Sequence, residues 1–375
     1  MRVECHRAWI EVNHSALASN VRQLKRLLQS ETDLMAVVKA DAYGHGAVQV
    51  AETVLQCGAS WLAVATVGEG IELREAGIEA PILMLGAVNS PEEVHAIAHF
   101  QLQPTLCTSE QAQIFSETMA TLEKTLPVHL KLDTGMSRLG TLWNEATAFV
   151  KTVQALPHLE IASIYSHLAT ADELNPQPMI EQHQRFKEAI GNLKAEGITP
   201  PRLHFANSAA TLVNSDLHYD LVRIGLALYG LYPAPHLRST VSLQPVLQVK
   251  ACVTQVKTIP AGAGVSYGHK YIAPQPTKIA VVGIGYADGI PRNLSNRLKV
   301  LLKGELVPQI GAITMDQMML NVSDLPKVQP GDVVTLLGTD GNKHISADDW
   351  ANMLGTISWE ILCSFKHRLP RVRID

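Results

Sequence analysis

The stretch that decides the fold spans residues 34–46 and reads LMAVVKADAYGHG. Its first half is a short, valine-rich apolar run, which is typical of a buried β-strand. The run ends at Lys39, where a desolvated ammonium would be costly unless it is paired or neutralised. Lys39 therefore either reaches the surface or is held for amine chemistry, of which Schiff-base formation with a carbonyl compound is the usual case.

Seven further apolar runs follow, and segments with apolar residues at helical spacing separate them. This alternation predicts parallel strands covered by helices, and eight such units over roughly 230 residues are typical of a (β/α)8 barrel. A doubly wound open sheet is the main alternative, but it would need a third glycine in register after Gly44 and Gly46. The predicted strands are 34–39, 62–66, 82–86, 102–107, 128–133, 161–167, 203–206 and 221–225, and the predicted helices are 45–55, 68–76, 90–99, 109–122, 144–155 and 179–195.

A second domain is predicted where the pattern changes near residue 240. Apolar and polar residues alternate over 246–258, and short apolar runs separated by turn residues follow. We expect a barrel domain over residues 1–240, with about the first ten residues packed on the β domain, and a mainly β domain over 241–375. Its further strands are predicted at 278–284, 298–302, 318–322 and 333–337, with a short helix at 347–354.

The composition is that of a soluble globular chain and argues against several partners. The sequence has 375 residues, 46% of them hydrophobic and 18% charged, with a formal net charge of −4. Without a long block of like charge, neither nucleic acid nor an acidic membrane surface is favoured. No window of about 18 residues stays apolar, so no transmembrane helix is predicted.

The N-terminus and the cysteines favour a cytoplasmic location. Charged Glu4, Arg7 and Glu11 interrupt the first segment, which lacks the apolar stretch of a signal peptide. The five cysteines lie at positions 5, 57, 107, 252 and 363, without a CxxC pair. This spacing predicts free thiols in a reducing compartment, with neither disulfides nor a metal site.

Polar residues gather where the predicted barrel strands end, which is where barrel enzymes carry their chemistry. Each has a plain structural explanation when it is taken alone, but their shared placement predicts an active site. They are Lys39 and Tyr43 after strand one, Lys131, Asp133 and Arg138 on and after strand five, His167 on strand six, Asn207 and Ser208 after strand seven, and Arg223 and Gly225 on strand eight.

The last two strand ends predict a phosphate site. Asn207 and Ser208 are suited to cap a helix at 209–213, and a helix N-terminus also presents N–H groups and partial positive charge to a phosphate. Barrels commonly bind phosphate after strands seven and eight, and Gly225 would let the backbone approach closely. A phosphate near a lysine amine suggests pyridoxal 5′-phosphate, whose aldehyde reacts with lysine.

Arg223 interrupts the apolar run 221–226 and is either turned to the surface or paired with a buried acceptor. If it faces the ring nitrogen of the cofactor, it donates a hydrogen bond without protonating the ring, because arginine hardly gives up its proton. The ring would then withdraw electrons less strongly than one paired with a carboxylate, which disfavours transamination.

Several sequence blocks in a fixed order resemble the alanine racemase family, bacterial fold-type III pyridoxal-phosphate enzymes with a (β/α)8 barrel and a C-terminal β domain. The blocks are 37–46 (VVKADAYGHG), 131–140 (KLDTGMSRLG), 206–210 (ANSAA), 223–225 (RIG), 265–268 (VSYG), 285–289 (GYADG) and 315–317 (MDQ).

The resemblance implies two bases on opposite faces of the substrate. Lys39 would hold the cofactor covalently and act as one base, and Tyr267 would be the second, since racemisation removes a proton from one face and returns it to the other. An unperturbed tyrosine has a pKa of ~10, so its phenolate must be favoured by nearby positive charge or hydrogen bonds. His167 and Arg223 would belong to that network.

Further roles follow from the same resemblance. Arg138 would bind the substrate carboxylate, a bidentate match for guanidinium, and Lys131 would be carbamylated and orient Arg138. Residues from a second subunit would line the substrate side, so that each site would lie at a homodimer interface and Tyr267 would serve the partner's cofactor. The phosphate ligands would be Tyr43, Ser208, Gly225 and Leu226, and the residues from the second subunit would be Met315, Asp316 and Tyr286.

One departure from the family pattern lies near the C-terminus. The family usually has a tyrosine before a glutamate there, whose hydroxyl reaches the phosphate, whereas residues 356–360 read TISWE. The indole N–H of Trp359 can donate one bond but cannot mimic a phenol. We expect Trp359 still to approach the phosphate, with weaker cofactor retention or an altered entrance.

The leading interpretation is interconversion of L- and D-alanine, supplying D-alanine for peptidoglycan. The alternatives are a racemase for another amino acid such as serine or lysine, a non-catalytic pyridoxal-phosphate carrier built on a lone barrel, and a decarboxylase of the same fold type. Met315 weakly favours a small side chain. The β domain with Tyr267 argues against a carrier, and Arg223 in place of an acidic partner argues against a decarboxylase.

Overall fold

The computed structural model covers residues 6–375 of the protein, so that Glu4 and Cys5 lie outside the described residues. The chain divides into two compact units. The first comprises Ala16–Ala42 and Ala47–Gln244. The second comprises Tyr43–Gly46 and Pro245–Asp375, together with the described residues up to Ser15.

The strands of the described chain are β1 (Ala8–Asn13), β2 (Asp33–Val37), β3 (Trp61–Val64), β4 (Ile82–Met84), β5 (Gln103–Leu106), β6 (Leu126–Asp133), β7 (Thr141–Leu142), β8 (Leu159–Tyr165), β9 (Leu203–His204), β10 (Leu221–Ile224), β11 (Leu247–Ile259), β12 (Gly264–Val265), β13 (Tyr271–Ile272), β14 (Thr277–Val282), β15 (Lys299–Leu302), β16 (Glu305–Ile310), β17 (Met318–Asn321), β18 (Val333–Asp340), β19 (Lys343–Ile345) and β20 (Arg371–Ile374). The helices are α1 (His14–Lys25), α2 (Lys39–Gly44), α3 (Ala47–Gln56), α4 (Val67–Glu75), α5 (Pro91–His99), α6 (Ser109–Leu122), α7 (Ala146–Ala155), α8 (Gln177–Ala195), α9 (Ser208–Val213), α10 (Ala347–Leu354) and α11 (Ser358–Ser364).

The first unit is a closed barrel of eight parallel strands. Their hydrogen-bonded order is β2, β3, β4, β5, β6, β8, β9 and β10, and β10 pairs with β2 to close the ring. The two-residue strand β7 is appended to β6. Helices alternate with the strands along the chain, so the predicted (β/α)8 fold class is confirmed.

The barrel strands are short apolar runs because both of their faces are covered. Residues 34–37 of β2 are all buried, and so are the four residues of β10, Arg223 included. All eight predicted strands are present. Several end earlier than predicted, β2 at Val37 and β8 at Tyr165, because the polar residues that follow leave the ladder and enter loops.

Polar caps determine where the barrel helices begin. The side-chain oxygens of Thr66, Ser90, Thr108 and Asn207 each accept a hydrogen bond from a backbone N–H in the first turn of α4, α5, α6 and α9. Such bonds satisfy donors that lack a partner within the helix and typically contribute about 1 kcal/mol each. Each cap follows a strand within a few residues, so each helix begins close to the carboxyl end of the preceding strand.

The turn α2, directly after β2, has an unusual backbone. Residues 40–43 have φ values between 52° and 55°, in the left-handed region. An L-residue there costs roughly 1–2 kcal/mol, so four in succession must be held by their contacts. Gly44 continues the run with φ 83°, and a Cβ on it would lie 2.5 Å from the carbonyl oxygen of Leu362. The sequence predicts only a loop here.

The second unit contains a nine-stranded sheet in the order β19, β18, β15, β16, β17, β14, β11, β1, β20. Along β11, buried and half-buried residues alternate from Leu247 to Val253, as the period-2 pattern predicts. Strand β1 pairs antiparallel with β11 and parallel with β20. The sequence does not predict β1, β16, β19, β20, α1 or α11; their apolar patterns are short or interrupted, as by Pro308 in β16.

Two smaller predictions can be compared with the described chain. No helix among residues 6–375 has the length and apolar character needed to cross a membrane. Four of the five cysteines, Cys57, Cys107, Cys252 and Cys363, carry reduced thiols rather than disulfides.

Candidate functional site

Nine of the predicted site residues lie in the barrel unit, on or after the carboxyl-terminal parts of its strands. The carboxyl ends of parallel barrel strands share one face, and the connections there carry the chemistry of barrel enzymes. The nine residues are Lys39, Lys131, Arg138, His167, Asn207, Ser208, Arg223, Gly225 and Leu226.

The Arg223 guanidinium is buried and held on two of its three nitrogens. Nη1 donates to His204 Nδ1 at 2.8 Å. Nη2 donates to the carbonyl oxygens of Ser166 and Phe205 at 2.7 and 3.1 Å and to His167 Nδ1 at 3.2 Å. Among the described residues no acceptor takes the Nε–H or the second N–H of Nη1, which leaves two donors for a ligand. Burial lowers the pKa of Arg223 to about 10, so the group stays charged at neutral pH.

A chain of buried hydrogen bonds continues from Arg223 across the barrel interior. His204 Nε2 lies 2.8 Å from Ser163 Oγ, which lies 2.6 Å from His129 Nδ1. His129 Nε2 in turn lies 2.7 Å from Gln103 Oε1. Because a guanidinium can only donate, every later group accepts from one neighbour and donates to the next. Burial lowers the pKa of His129 to about 3 and that of His204 well below its ordinary value, so both rings are neutral.

Four cations act on His167 at this end of the barrel. Burial, followed by the charges of Arg223, Lys131, Arg138 and Lys39, holds the pKa of His167 well below its ordinary value. Such a concentration of positive charge favours an anionic ligand.

Lys131 is buried beside the ring of Tyr165, with Nζ 5.5 Å from the ring centroid. Burial and then the Arg223 charge lower the pKa of Lys131 to about 8. Much of its amine is therefore uncharged slightly above neutral pH. Arg138 is exposed in the loop after β6 and lines one recess together with Lys131 and His167.

The start of α9 and the end of β10 form one hydrogen-bonded corner. Asn207 caps α9, since its Oδ1 accepts from the Ala210 N–H at 3.0 Å. The Ser208 hydroxyl oxygen accepts from the Gly225 N–H at 3.0 Å, which leaves the hydroxyl proton for another acceptor. The N–H of Leu226 begins a 3-10 turn and has no partner within that turn.

Lys39 opens the left-handed turn α2 and is half-buried. The N–H of the next residue, Ala40, donates to Glu69 Oε1 at 2.6 Å. Two residues further on, the Ala42 N–H donates to the Val38 carbonyl at 2.8 Å. The backbone on both sides of Lys39 is therefore held by hydrogen bonds.

Tyr43 and Tyr267 are predicted site residues of the second unit, and their environments differ. Tyr43 is buried, and burial raises the pKa of its phenol. Tyr267 is 73% exposed, in a 3-10 turn that follows Ser266. Tyr267 lines an open groove of about 790 Å³ whose walls include Thr314 and Gln317. A groove-lining phenol is accessible to a molecule that docks there.

Three predicted substrate-side residues come together in the second unit. The Tyr286 N–H donates to the Thr314 carbonyl at 3.0 Å, and the following amide donates to the Met315 carbonyl at 3.0 Å. Asp316 forms an ion pair with Arg368. Tyr286 and Met315 are 41% and 52% exposed, so their side chains are available for contacts.

A buried carboxylate that sequence reasoning missed holds the loop of Tyr286. Asp288 accepts from Arg7 Nη1 and Nη2 at 2.9 and 2.6 Å and from the Gly285 N–H at 2.9 Å. Arg368 Nε lies 3.6 Å from the same carboxylate. Asp288 lies within the block 285–289, where an acidic residue between two glycines could have indicated a loop anchor.

His204 is the second residue that sequence reasoning missed. For Trp359, the structure gives its helix and its partial burial. His204 ends strand β9, and the signal that could have found it is a histidine inside an apolar run. Trp359 lies in α11 and is half-buried.

Family models match both parts of the chain. Residues 12–233 match the model described as alanine racemase, N-terminal domain, and residues 246–373 match alanine racemase, C-terminal domain.

Curated relatives match over nearly the full length. The chain is 62% identical over 368 residues to an alanine racemase of Synechocystis sp., covering 98% of this chain and 99% of that protein. It is 63% identical over 370 residues to an alanine racemase of Nostoc sp., covering 98% and 96%.

Solved structures share the fold over the same length. Alanine racemase from Clostridium difficile gives a TM-score of 0.95 at 35% identity, covering 99% of this chain and 96% of that one. Alanine racemase from Bacillus anthracis with bound L-Ala-P gives 0.92 at 38% identity, covering 99% and 95%.

Proposed function

Because this chain belongs to the alanine racemase family and is therefore an isomerase, we propose that it interconverts L- and D-alanine with pyridoxal 5′-phosphate, using Lys39 and Tyr267 as its two bases. The observation that carries the proposal is the group of four cations whose charges act together on His167 at one end of the barrel. That charge suits the cofactor phosphate and the carboxylate of an amino acid.

The barrel residues fit the cofactor. The Nε–H of Arg223 would donate to the ring nitrogen, and the hydroxyl proton of Ser208 and the N–H of Leu226 would donate to the phosphate. Gly225 supports this corner through its bond to Ser208. By family resemblance, Tyr43 completes the phosphate ligands, Asn207 also belongs to the cofactor site, and Trp359 replaces the usual tyrosine.

When bound, pyridoxal phosphate supplies a ring that withdraws electrons from the Cα of an attached amino acid. Arg223 moderates this effect. The Arg223 guanidinium keeps its proton at neutral pH. The neutral ring of His204 accepts a hydrogen bond from it on Nδ1 and so fixes the orientation of the guanidinium. Arg223 would therefore donate to the ring nitrogen without protonating it, which would favour return of the proton to Cα over transamination or decarboxylation.

Lys39 and Tyr267 move the proton. The Lys39 amine acts on one face of Cα, and the Tyr267 phenol acts on the other. Tyr267 is exposed on a groove of the second unit, which suits a phenol that serves the site of a second chain. We therefore propose a homodimer in which Tyr267, Tyr286, Met315 and Asp316 complete the partner's site.

Arg138 binds the substrate carboxylate in this proposal. The uncharged amine of Lys131 can take up CO2 as a carbamate with release of one proton, since its pKa is lowered to about 8. The carbamate would turn a buried cation into an anion that holds the Arg138 guanidinium in place. In the proposed dimer Met315 would crowd the substrate side, which favours the small side chain of alanine.

The proposal is tested by a coupled assay of D-alanine formation from L-alanine, with and without added pyridoxal phosphate. We expect turnover that depends on the cofactor, and borohydride reduction followed by peptide mapping should attach the cofactor to Lys39. Lys39→Ala should abolish both results. Serine and lysine as substrates separate a strict alanine enzyme from a broader racemase. The physiological role, D-alanine supply for peptidoglycan in the cytoplasm, is proposed with the activity.

A further inference from the structure

We infer that Glu69 is a positioning residue for Lys39, acting through the backbone rather than through the substrate. The inference rests on the proposed function, because it concerns how the Lys39 amine is aimed. It starts from the left-handed turn that follows Lys39, whose residues 40–42 have φ values of 52–53°. A turn of non-glycine residues in that region persists only where surrounding contacts hold it.

The Glu69 carboxylate joins two neighbouring strand ends. Its Oε2 accepts from the N–H groups of Ala65 and Thr66, which follow β3, at 2.7 and 3.1 Å. Its Oε1 accepts at 2.6 Å from the N–H of Ala40, which follows β2. Strands β2 and β3 are adjacent in the barrel. One side chain therefore links two neighbouring loops of the barrel: the loop after β2, which carries Lys39, and the loop after β3.

Helix capping accounts for only half of this arrangement. Glu69 is the third residue of α4, and with Thr66 it forms a capping box, in which a glutamate bonds back to the N-cap N–H. That motif uses Oε2 alone. The Oε1 bond reaches a different segment, 29 residues earlier in the chain, and is not part of any helix cap.

The Ala40 N–H is the group through which Glu69 can orient Lys39. This N–H belongs to the peptide plane that joins Lys39 to Ala40, and the plane turns with the ψ angle of Lys39. A hydrogen bond that holds the plane therefore restricts ψ and, with β2 on the other side, the direction of the Lys39 side chain. Beyond Ala40, the turn is held by the Ala42 bond to Val38 and by Asp41 Oδ1, which accepts from the Ala47 N–H at 2.8 Å.

The test replaces Glu69 in the full-length protein. Glu69→Gln keeps one side-chain acceptor oxygen and removes the other, so one of the two loops loses its acceptor. Because the Ala65 and Thr66 amides are adjacent and share one oxygen, we expect the Ala40 bond to be lost. Amide hydrogen exchange, read at Ala40 by mass spectrometry with fragmentation, reports this directly and does not depend on activity.

Two control variants separate positioning from helix capping. Glu93→Gln changes the exposed glutamate at the equivalent third position of α5, where Ser90 caps the helix. Thr66→Ala removes the capping hydroxyl of α4 but keeps the Glu69 carboxylate. Both should leave exchange at Ala40 within twofold of the natural protein, whereas Glu69→Gln should accelerate it at least tenfold.

A second readout connects the turn to Lys39. After removal of pyridoxal phosphate, the rate of its covalent reattachment, trapped with borohydride at Lys39, should fall at least tenfold in Glu69→Gln and stay within twofold in both controls. In the racemase assay kcat should fall while KM for alanine changes little, because Glu69 does not touch substrate.

The inference is overturned if Glu69→Gln leaves Ala40 exchange and reattachment within twofold of the natural protein, or if Thr66→Ala changes them as much. If Glu69→Gln does not fold, Glu69→Asp carries the same test, because its shorter side chain cannot reach both loops. A protein that shows the exchange pattern but does not racemise alanine would instead contradict the proposed function alone.

Discussion

Among single residues, Lys131 shows most directly how burial changes the pKa and the reactivity of a side chain. An ordinary lysine has a pKa of 10.5, and burial beside Arg223 lowers that of Lys131 to about 8. Raising the pH through 8 therefore converts the ammonium to the free amine, and only the free amine adds CO2. At neutral pH about a tenth of Lys131 is already the free amine, a far larger fraction than for a lysine of ordinary pKa.

We predict that ¹³C NMR of the protein in labelled bicarbonate will show a carbamate signal that grows as the pH rises through about 8. Lys131→Arg should remove the signal, because guanidinium does not form a carbamate under these conditions. Lys151→Arg, which changes an exposed lysine, should leave it in place. A signal that survives in Lys131→Arg would assign the modification elsewhere.

Tyr267 permits a second prediction at this scale. Tyr267→Phe should keep the cofactor but remove the base on one face of Cα, so exchange of the Cα proton of L-alanine with solvent should slow by about 10²–10⁴-fold, the usual contribution of a general base. Exchange from D-alanine should slow much less. Tyr271→Phe, in the adjoining strand β13, serves as the control. Small and equal losses for both enantiomers would exclude Tyr267 from the two-base scheme.

Individual residues were predictable from the sequence where a charge interrupts an apolar run, as Lys39 and Arg223 do. His204 was not, because its partners Arg223 and Ser163 are distant in sequence and meet only when the barrel closes. Glu69 was not either. Its spacing from Thr66 indicates a helix cap, and nothing local reveals that its second oxygen reaches Ala40.

At the scale of elements, side-chain hydrogen bonds join five strands of the barrel in one network. A chain of hydrogen bonds crosses the barrel interior and connects Arg223 on β10, His204 on β9, Ser163 on β8, His129 on β6 and Gln103 on β5. A fully satisfied buried network of this kind specifies one arrangement of its members, because each unpaired group would be costly.

The direction of donation along these hydrogen bonds gives a third prediction. In ¹⁵N-histidine-labelled protein, His204 and His129 should both carry their proton on Nε2, with Nδ1 unprotonated, and neither ring should titrate between about pH 5 and 8. The reason is that Arg223 forces His204 to accept on Nδ1, and burial disfavours the charged rings. His204→Asn and His129→Asn assign the signals. A proton on Nδ1 of either ring would show that the hydrogen bonds are not all donated in the direction from Arg223 to Gln103.

Element boundaries were predicted well for the barrel and less well for the loops. Apolar runs and cap residues such as Ser90 and Thr108 locate strands and helices because the relevant forces are local. The left-handed turn of residues 40–43 has no such signal, since only Gly44 after it favours positive φ. Its conformation depends on bonds to Glu69 and Val38, which are set by tertiary structure.

At the scale of the whole molecule, the fold class followed from the alternation of eight apolar runs with helical segments. About the first ten residues were expected on the β domain, but nothing in the order of the chain indicated the placement of residues 43–46. Residues 43–46 and the described residues up to Ser15 group with the second unit rather than with the barrel. Strand β1 explains the N-terminal part, because it pairs with β11 and β20.

The central claim is that each site takes Lys39 from one chain and Tyr267 from its partner. It is tested most directly by mixing Lys39→Ala and Tyr267→Phe proteins after dissociating and reassociating the subunits. Each variant alone should be nearly inactive. A mixed dimer contains one site with both natural residues, so random reassociation in a twofold-symmetric dimer should restore about one quarter of the natural activity. A mixture that stays as inactive as its two parents would contradict the claim.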